Sequence, residues 1–463
     1  MALLTLQEIL QATSGRVLSP GAERFNGVSI DSRTIGENEL FVALKGARFD
    51  GHDFVDEALK RGAGAIVSDP PKVPLGKGTL IHVEDTLRAL QEIARSRRQA
   101  QGVTVVGVTG TNGKTSTKEM ICAIAKLRGP VLCSSGNLNN QIGLPLNLLR
   151  LAGEDLCVLE MGASKKGDIR ELCEISLPDY GVITNIGPAH LEGFGSIETV
   201  RDTKLELMEF ANVIGLNGDD AMLSAVIRGL PERPARTILT FGIAQDAQVM
   251  AKNIVMGDLS APAAGITSFD LHIGGRMSAR IVLKVPGMFN VYNALAAATV
   301  AHALGVPPDG IGEGLAEFRG VPMRLELKKM KGAVVISDMY NANPASMEEA
   351  LKELVRVRGR RAIAVLGDML ELGAYAETAH RTLGSWLADL RVDVFVGVGP
   401  LMRAAVEEFS SRTDSSRSAY SLEDARGARD VLDQILAEGD TVLVKGSRAM
   451  RMEQIVEGAQ CST

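Results

Sequence analysis

The stretch "GVTGTNGKTSTKEM", Gly107 to Met120, carries residue types and spacing suited to binding a polyphosphate. It ends as a phosphate loop does, in Gly113-Lys114-Thr115, although G-x-x-x-x-G-K-[ST] spacing would place a glycine at 108, where Val108 stands. A buried-strand run, "VTVVGV", precedes it, and "GKTSTKEMICAIAKL" follows with apolar residues at helical spacing. A Gly-rich turn between strand and helix aims backbone N–H groups and the positive helix end at one point, where a phosphate fits. Lys114 adds a full charge near the terminal phosphates, and Thr115 a hydroxyl for Mg²⁺. The bland alternative is a strand-to-helix turn with a solvated lysine, and the strand-turn-helix context favours the nucleotide.

Other chemistry-bearing residues recur where such a site needs them. Glu160 closes "LCVLEMG" at a strand's carboxyl end, where a carboxylate can hold Mg²⁺ directly or through water; taken alone, an edge glutamate is more often a cap or surface residue. His190 in "TNIGPAHLEGFGS" is either a packed loop histidine or a ligand. By pattern alone Lys204 in "RDTKLELMEF" reads as a solvated lysine, Asn290 and Asn293 in "GMFNVYNALAAA" as helix caps, and Arg324 in "VPMRLE" as a linker arginine.

The elements that must position these groups follow from length and pattern. A chain of 463 residues exceeds one core and suggests about three domains, and 49 glycines with 4% aromatics suit an α/β protein with many strand-to-helix turns. Residues 1–84 mix "LFVAL" and "GAIVSD" strand runs with one helical pattern at Phe54 to Arg61, giving a small α/β domain. "DTLRALQEIARSRRQA", Asp85 to Ala100, reads as a capped junction helix. Residues 85–321 alternate strands ("VTVVGV", "LCVLEMG", "YGVITNI", "ANVIGL", "RTILTFG") with helices, so a doubly wound parallel sheet is expected, with appended antiparallel strands between about Gln248 and Val285 and a helix at "NVYNALAAATVAHALG". Residues 322–463 repeat the αβ alternation with "AVVISD", "RAIAVLGD", "DVFVGVG" and "TVLVKGS", and with helices at Ser346 to Val357, Ala376 to Leu390 and Glu423 to Ala437; "SSRTDSSRSAY" reads as a polar loop.

A net charge of −6 without a basic run speaks against nucleic-acid binding. Cys122, Cys133, Cys157, Cys173 and Cys461 lack paired C-x-x-C spacing, so neither a disulfide framework nor a zinc site is expected, in keeping with a reducing, cytoplasmic setting. "MALLTLQEILQATSGR" lacks a secretory pattern and no apolar run reaches spanning length, so neither export nor membrane insertion is expected.

"TGTNGKTST" resembles the phosphate loop of the ATP-dependent Mur ligases, with Gly110 standing for the expected first glycine. The third domain resembles one branch of that family, the ligases that add D-alanyl-D-alanine to UDP-N-acetylmuramoyl-tripeptide: "SDMYNANPASM" is similar to its DDxYNANPxSM signature, and "LGDMLELG" and "LVKGSRAMRME" also match. Segments like DYAHTP and DNPR, expected of the ligase that adds the third amino acid, are absent. Ser337 departs from the signature's first aspartate, which leaves a nucleotide role to Asp338.

The resemblance implies a P-loop parallel-sheet ATPase domain between a UDP-binding N-terminal domain and a Rossmann-like C-terminal domain that binds the dipeptide. It implies that Thr109, Gly110, Thr111, Asn112, Gly113, Lys114, Thr115 and Ser116 hold ATP with Asn290, Asn293, Arg324, Asp338, Tyr340 and Asn341. Two Mg²⁺ would be held by Thr115, Glu160, His190 and Lys204, the lysine as a carbamate. Lys114, Glu160, His190, Lys204 and Arg324 form the implied catalytic set. Ser32, Arg33, Lys45 and Asp50 fall in the module implied to bind uridine; Asn139, Asn140 and Gln141 lie toward the muramoyl-peptide; Asp368, Glu371, Lys445 and Ser447, with His380 behind them, toward the dipeptide. An acyl phosphate captured by an amine is the implied reaction, in a monomer. A Mur-type or folylpolyglutamate ligase with another acceptor is the nearest alternative. A P-loop NTPase switch or transport subunit differs in class and would turn over ATP without amino-acid substrates.

Overall fold

The computed structural model describes residues 4–46, 48–69, 78–231, 235–244, 246–257, 265–457 and 460–461. Near the N-terminus Thr5 and Glu8 form a capping box that starts helix Leu6–Thr13. A five-stranded sheet follows, in the order Arg16–Ser19, Thr79–His82, Gly64–Val67, Glu39–Val42, Gly27–Ser29. It is parallel except for the first pair. The helix expected over Phe54 to Arg61 is shorter. A 3₁₀ turn, Gly51–Phe54, capped by the Asp50 side chain, leads into Val55–Ala58, and the chain then turns at Gly62 into the next strand.

The junction helix is Thr86–Gln101, opened by Asp85, whose side chain accepts Arg88 N–H at 3.0 Å, and closed by Gly102 at φ 61°. It buries Ala89, Leu90, Ile93 and Ala94 in a core shared with Leu4 and Ile9 on one side and Leu144, Leu148 and Leu172 on the other. The first unit is therefore packed onto the second through a continuous apolar core.

The central sheet has nine strands, in the order Arg276–Leu283, Thr267–Ile273, Val249–Met256, Thr237–Gly242, Val213–Asn217, Tyr180–Ile183, Thr104–Thr109, Leu156–Glu160, Val131–Cys133. The seven strands from Val249–Met256 to Val131–Cys133 are parallel, and Thr267–Ile273 and Arg276–Leu283 continue the sheet by antiparallel pairing at the far edge. The chain leaves Thr104–Thr109 toward the Val131–Cys133 edge and leaves its neighbour Leu156–Glu160 in the other direction, toward Tyr180–Ile183, which opens a crevice at their carboxyl ends. Helix Met288–Ala303, rich in alanine and buried on nearly every face, packs against helix Lys114–Lys126 over that sheet.

One expectation is overturned here. Cys122, on helix Lys114–Lys126, and Cys133, on the edge strand, form a disulfide with Cα atoms 6.3 Å apart. The cysteines are 11 residues apart and come together only through the helix-to-strand packing, so spacing in sequence could not reveal the pair. Cys157 and Cys173 are buried free thiols, and burial pushes both thiols up from their ordinary values.

The C-terminal sheet runs Ser418–Leu422, Val394–Val398, Ala362–Gly367, Thr441–Lys445, Ala333–Asp338, Glu326–Met330, Gln460–Cys461, with the first five strands parallel and the last two antiparallel. The segment read as a polar loop is in part structured: helix Met402–Arg412 runs into it and the edge strand Ser418–Leu422 leaves it. Helix Pro344–Arg356 starts before Ser346 because Asn343 caps it, forming a capping box with Ser346.

Candidate active site

The segment Gly110–Gly113 turns from strand Thr104–Thr109 into helix Lys114–Lys126, as the sequence suggests. Gly110 and Gly113 have φ of 139° and 81°, and a Cβ on either would collide with Thr184 Oγ1 or Asn293 Oδ1, so only glycine lets the turn close. The segment after strand Tyr180–Ile183 braces it. Thr111 N–H donates to Asn185 O at 2.9 Å, Asn112 N–H to Asn185 Oδ1 at 2.9 Å, and Gly187 N–H to Thr111 Oγ1 at 2.9 Å. Thr184 and Asn185 were missed from sequence; a Thr-Asn pair directly after a buried strand was the available signal. Thr109 is buried and its hydroxyl donates to Met161 O at 2.9 Å, so it supports the loop from beneath.

The loop floors a cleft of about 1050 Å³ between the central and C-terminal sheets. Lys114, Ser116, Glu160, His190, Lys204, Asn293, Arg324, Asp338, Tyr340, Asn341, Glu371, Lys445 and Ser447 all line it, as do Asn139, Asn140 and Gln141. Lys114 Nζ reaches Gly110 O and Thr111 O at 3.0 Å each. Enclosure by protein pushes its pKa down; the Glu160 carboxylate opposes this, and the Arg324 charge reinforces it.

Thr115 Oγ1 donates to Glu160 Oε2 at 2.7 Å, and Asn139 Nδ2 donates to Glu160 Oε1 at 2.8 Å. Glu160 N–H donates to Ser134 Oγ at 3.0 Å. A hydroxyl and a carboxylate in contact at the foot of the phosphate loop are the hard oxygen donors that suit Mg²⁺. Among the described residues no group of three or more His, Cys, Asp or Glu side chains forms a metal cage. Such a donor set fits an ion that takes its remaining ligands from phosphate oxygens and water.

Lys204 is 3% exposed, over the ring of Phe194 at 5.8 Å. Burial, then the Lys114 charge, hold its ammonium down to a pKa of about 7, against the pull of Asp168, Glu206 and Glu160. This is not the solvated lysine of the sequence pattern. His190 is half-exposed and its Nδ1 contacts Glu371 Oε2 across the cleft.

Arg324 sits between Met323 and Leu325, both at positive φ (61° and 48°), and this bent linker turns the guanidinium into the cleft. Its Nη2 donates to Thr115 Oγ1 at 2.9 Å, its Cζ lies over the Tyr340 ring at 4.1 Å from the centroid, and its buried Nε has no hydrogen-bond partner among the described residues. Lys114 and Arg324, with the buried amine of Lys204 lining the same cleft, thus gather basic side chains in one place, as a site built for a polyanion does.

Several expected contacts have other partners. Lys445 Nζ, buried, donates to Asp338 Oδ2 at 2.5 Å and to Asn341 O at 3.0 Å, tying the ion pair to the wall of the cleft. Ser447 Oγ accepts Leu370 N–H at 2.9 Å. Asn140 Oδ1 accepts Gly143 N–H at 2.9 Å and Gln141 Nε2 donates to Asp168 Oδ1 at 2.9 Å, so both shape the cleft wall. Asn290 lies behind Asn293, donating to Pro286 O at 2.7 Å. Asp368 is 2% exposed and accepts Met402 N–H at 2.8 Å, starting helix Met402–Arg412; it does not line the cleft. His380 is likewise internal, its Nε2 accepting Met369 N–H at 3.1 Å and its Nδ1 donating to Ala376 O at 2.7 Å. The sequence reading of both as dipeptide contacts is corrected: each carries a backbone hydrogen bond inside the fold.

Ser32, Arg33, Lys45 and Asp50 are in the N-terminal unit, outside this cleft. Arg33 pairs with Asp31 at 2.6 Å, and Ser32 is buried beside them. Lys45 and Asp50 face each other at 3.8 Å, and Asp50 Oδ1 also meets His52 Nδ1 at 2.6 Å. Ser68 N–H donates to His52 Nε2 at 3.0 Å, which places the ring proton on Nδ1.

Comparison with known proteins fits this geometry. Residues 24–98 match the catalytic domain of the Mur ligase family, residues 108–301 the Mur ligase middle domain, and residues 323–448 the Mur ligase glutamate ligase domain. A Bacillus subtilis protein named UDP-N-acetylmuramoyl-tripeptide--D-alanyl-D-alanine ligase is 34% identical, the match covering 98% of this chain and 97% of that one. The chain belongs to the Mur ligase family. The crystal structure of MurF from Acinetobacter baumannii superposes with a TM-score of 0.88 at 31% identity over 98% of both chains. MurF of Thermotoga maritima in complex with ADP superposes at 0.80, with 31% identity over 93% of this chain and 96% of that one. The chain is thus an ATP-dependent ligase of the Mur family, built of three α/β units, with its phosphate loop in the cleft between the central and C-terminal ones.

Proposed function

We propose that this Mur ligase joins D-alanyl-D-alanine to UDP-N-acetylmuramoyl-tripeptide, cleaving ATP to ADP and phosphate, in peptidoglycan precursor synthesis. The observation that carries the reading is the convergence of Lys114, Arg324 and the Thr115–Glu160 pair at one end of a cleft walled by the YNANP and GDMLELG segments. Its relatives of the same architecture bear the name of that activity. No helix among the described residues is long and apolar enough to cross a membrane; we place the enzyme in the cytoplasm, working as a monomer.

The tripeptide's terminal carboxylate attacks the γ-phosphorus of ATP, forming an acyl phosphate and releasing ADP. Lys114 and Arg324 neutralise the transferring phosphoryl oxygens, Arg324 with its paired N–H donors. The deprotonated amine of D-alanyl-D-alanine then attacks the acyl carbon. The N–C bond forms, the C–O bond to phosphate breaks, and the amine loses its second proton. Thr115 and Glu160, with His190 and a carbamylated Lys204, would hold Mg²⁺, which supplies further neutralisation of phosphate charge. A lysine whose amine is substantially neutral near pH 7 is the form that adds carbon dioxide, and the resulting carbamate offers oxygen donors that an amine lacks.

Asp338, Tyr340 and Asn293 line the same cleft and take the ribose and adenine in this reading. The N-terminal unit, with Ser32, Arg33, Lys45 and Asp50, takes the UDP end. The deciding experiment measures ADP release with each substrate omitted in turn. Release that needs both the UDP-linked tripeptide and the dipeptide supports the assignment; full release with a glutamate acceptor, or with no acceptor, overturns it.

A further inference from the structure

His190 and Glu371 meet from opposite sides of the cleft. His190 lies on the turn that starts the short helix Leu191–Phe194 of the central unit, and Glu371 on the loop after strand Ala362–Gly367 of the C-terminal unit. The imidazole Nδ1 touches the Glu371 carboxylate. A second bond runs alongside, Glu192 N–H donating to Glu371 O at 3.2 Å, and a Cβ on Gly373 would come within 3.5 Å of Glu192 Cα. The two loops are therefore seated against each other, and the side-chain contact is not an isolated surface pair.

Both residues also hold backbone conformations that ordinary side chains rarely adopt, φ 50° at His190 and φ 63° at Glu371. Positive φ in a non-glycine residue is strained and persists only where the surrounding structure holds it, and such residues cluster where geometry serves function. Here they stand on the two faces of one contact. A carboxylate against Nδ1 fixes the ring proton on that nitrogen, and among the described residues Nε2 has no hydrogen-bond partner, so its lone pair is directed elsewhere.

We propose that Glu371 is a positioning residue: it fixes the tautomer and ring orientation of His190, so that the divalent-cation site beside the phosphate loop is completed only when the C-terminal unit is seated against the central one. This rests on the reading of His190 as a cation ligand. Carboxylate–imidazole–metal arrangements work in this way, the outer carboxylate holding the ring in one tautomer and orientation. The chain thereby links the lobe that brings the amine to the lobe that activates the acid. An acyl phosphate would form efficiently only with its captor in place, which limits loss to water.

The test uses the full-length protein with a non-hydrolysable ATP analogue and Mn²⁺ as the probe ion. Bound Mn²⁺ is counted by electron paramagnetic resonance, and imidazole coordination is read from nitrogen modulation of the bound ion. Glu371→Gly removes the carboxylate while suiting the backbone at that position; Glu371→Gln keeps an oxygen that accepts from Nδ1. Glu371→Gly is expected to weaken the histidine-bound ion by about tenfold, the usual scale for losing an outer-shell partner, while Glu371→Gln retains most of the affinity and the modulation. Unchanged affinity and modulation in Glu371→Gly overturn the proposal. Absence of histidine coordination in the unaltered protein overturns it as well, and analogue retained in those same samples leaves the ATP-site reading standing.

Discussion

The side-chain amides of Asn112 and Asn343 are paired head to tail across the boundary between the central and C-terminal units. Asn343 Nδ2 donates to Asn112 Oδ1 at 2.8 Å, and Asn112 Nδ2 donates to Asn343 Oδ1 at 3.3 Å. Asn343 is at the same time the cap of helix Pro344–Arg356, its Oδ1 accepting Ser346 N–H at 2.9 Å. The phosphate loop and the third unit are thus joined through one residue with two duties. Asn343→Asp separates them, because aspartate caps equally well but has no N–H for Asn112. One lost hydrogen bond of about 1 kcal/mol should shift the closed population roughly fivefold. The expected result is a several-fold higher KM for ATP with the unfolding midpoint little changed; an unchanged KM removes the pair from the closure mechanism.

Arg324 meets Thr115 and Tyr340 at once, and its geometry depends on a flat guanidinium. Arg324→Lys keeps the charge and loses both the stacking surface and the forked donors. If the guanidinium stabilises the transferring phosphoryl, kcat should fall on the order of 10²-fold, as for removal of a single preorganised donor. Steady-state ADP release under saturating ATP reads this directly. Retained kcat with a raised KM would mean that Arg324 only binds the nucleotide.

What was legible in the sequence was what the fold buries on both sides. Strand Thr104–Thr109 is buried apart from its first residue and reads as a continuous apolar run, and the helix after it shows its period. Strand Ser418–Leu422 lies at a sheet edge with no buried residue, so it carries no such signature and its first residues read as polar loop. Pairings set by tertiary contact were hidden for a different reason: Asn112 and Asn343 are 231 residues apart, and Cys122 meets Cys133 only because a helix packs on an edge strand. Asp368 and His380 show the opposite failure. A titratable side chain within a site motif can still point into the fold, and the residue type alone does not distinguish the two directions.

Lys204 gives a pH prediction with a definite sign. Its folded pKa of about 7 lies below the ordinary lysine value of 10.5. Between those values the unfolded chain holds a proton that the folded chain does not, so this residue makes stability rise with pH across that window; below about pH 7 both states are charged and its slope disappears. In carbon-dioxide-free buffer without nucleotide, Lys204→Met should flatten the stability profile between about pH 7 and pH 10. Denaturant midpoints taken along that range test it, and profiles of equal slope for the two proteins would show that the buried amine keeps its proton. With bicarbonate restored, the unaltered enzyme should gain activity as pH rises through 7 and Lys204→Met should not respond.

Asp368 separates support from chemistry within the GDMLELG segment. Its carboxylate accepts N–H groups from Leu401 and Met402, and Ser447 N–H donates to its backbone oxygen at 3.1 Å. Burial raises its pKa while those two N–H groups pull it down. Asp368→Ala leaves two buried donors unpaired at the start of helix Met402–Arg412, a cost of about 1–3 kcal/mol. The unfolding midpoint should drop, while kcat and the KM for D-alanyl-D-alanine measured well below that midpoint stay within about twofold. Glu371→Gly should behave in the opposite way, with catalysis impaired and the midpoint kept, since its exposed side chain faces the cleft. A large rise in dipeptide KM for Asp368→Ala at unchanged stability would return that carboxylate to the substrate side of the segment.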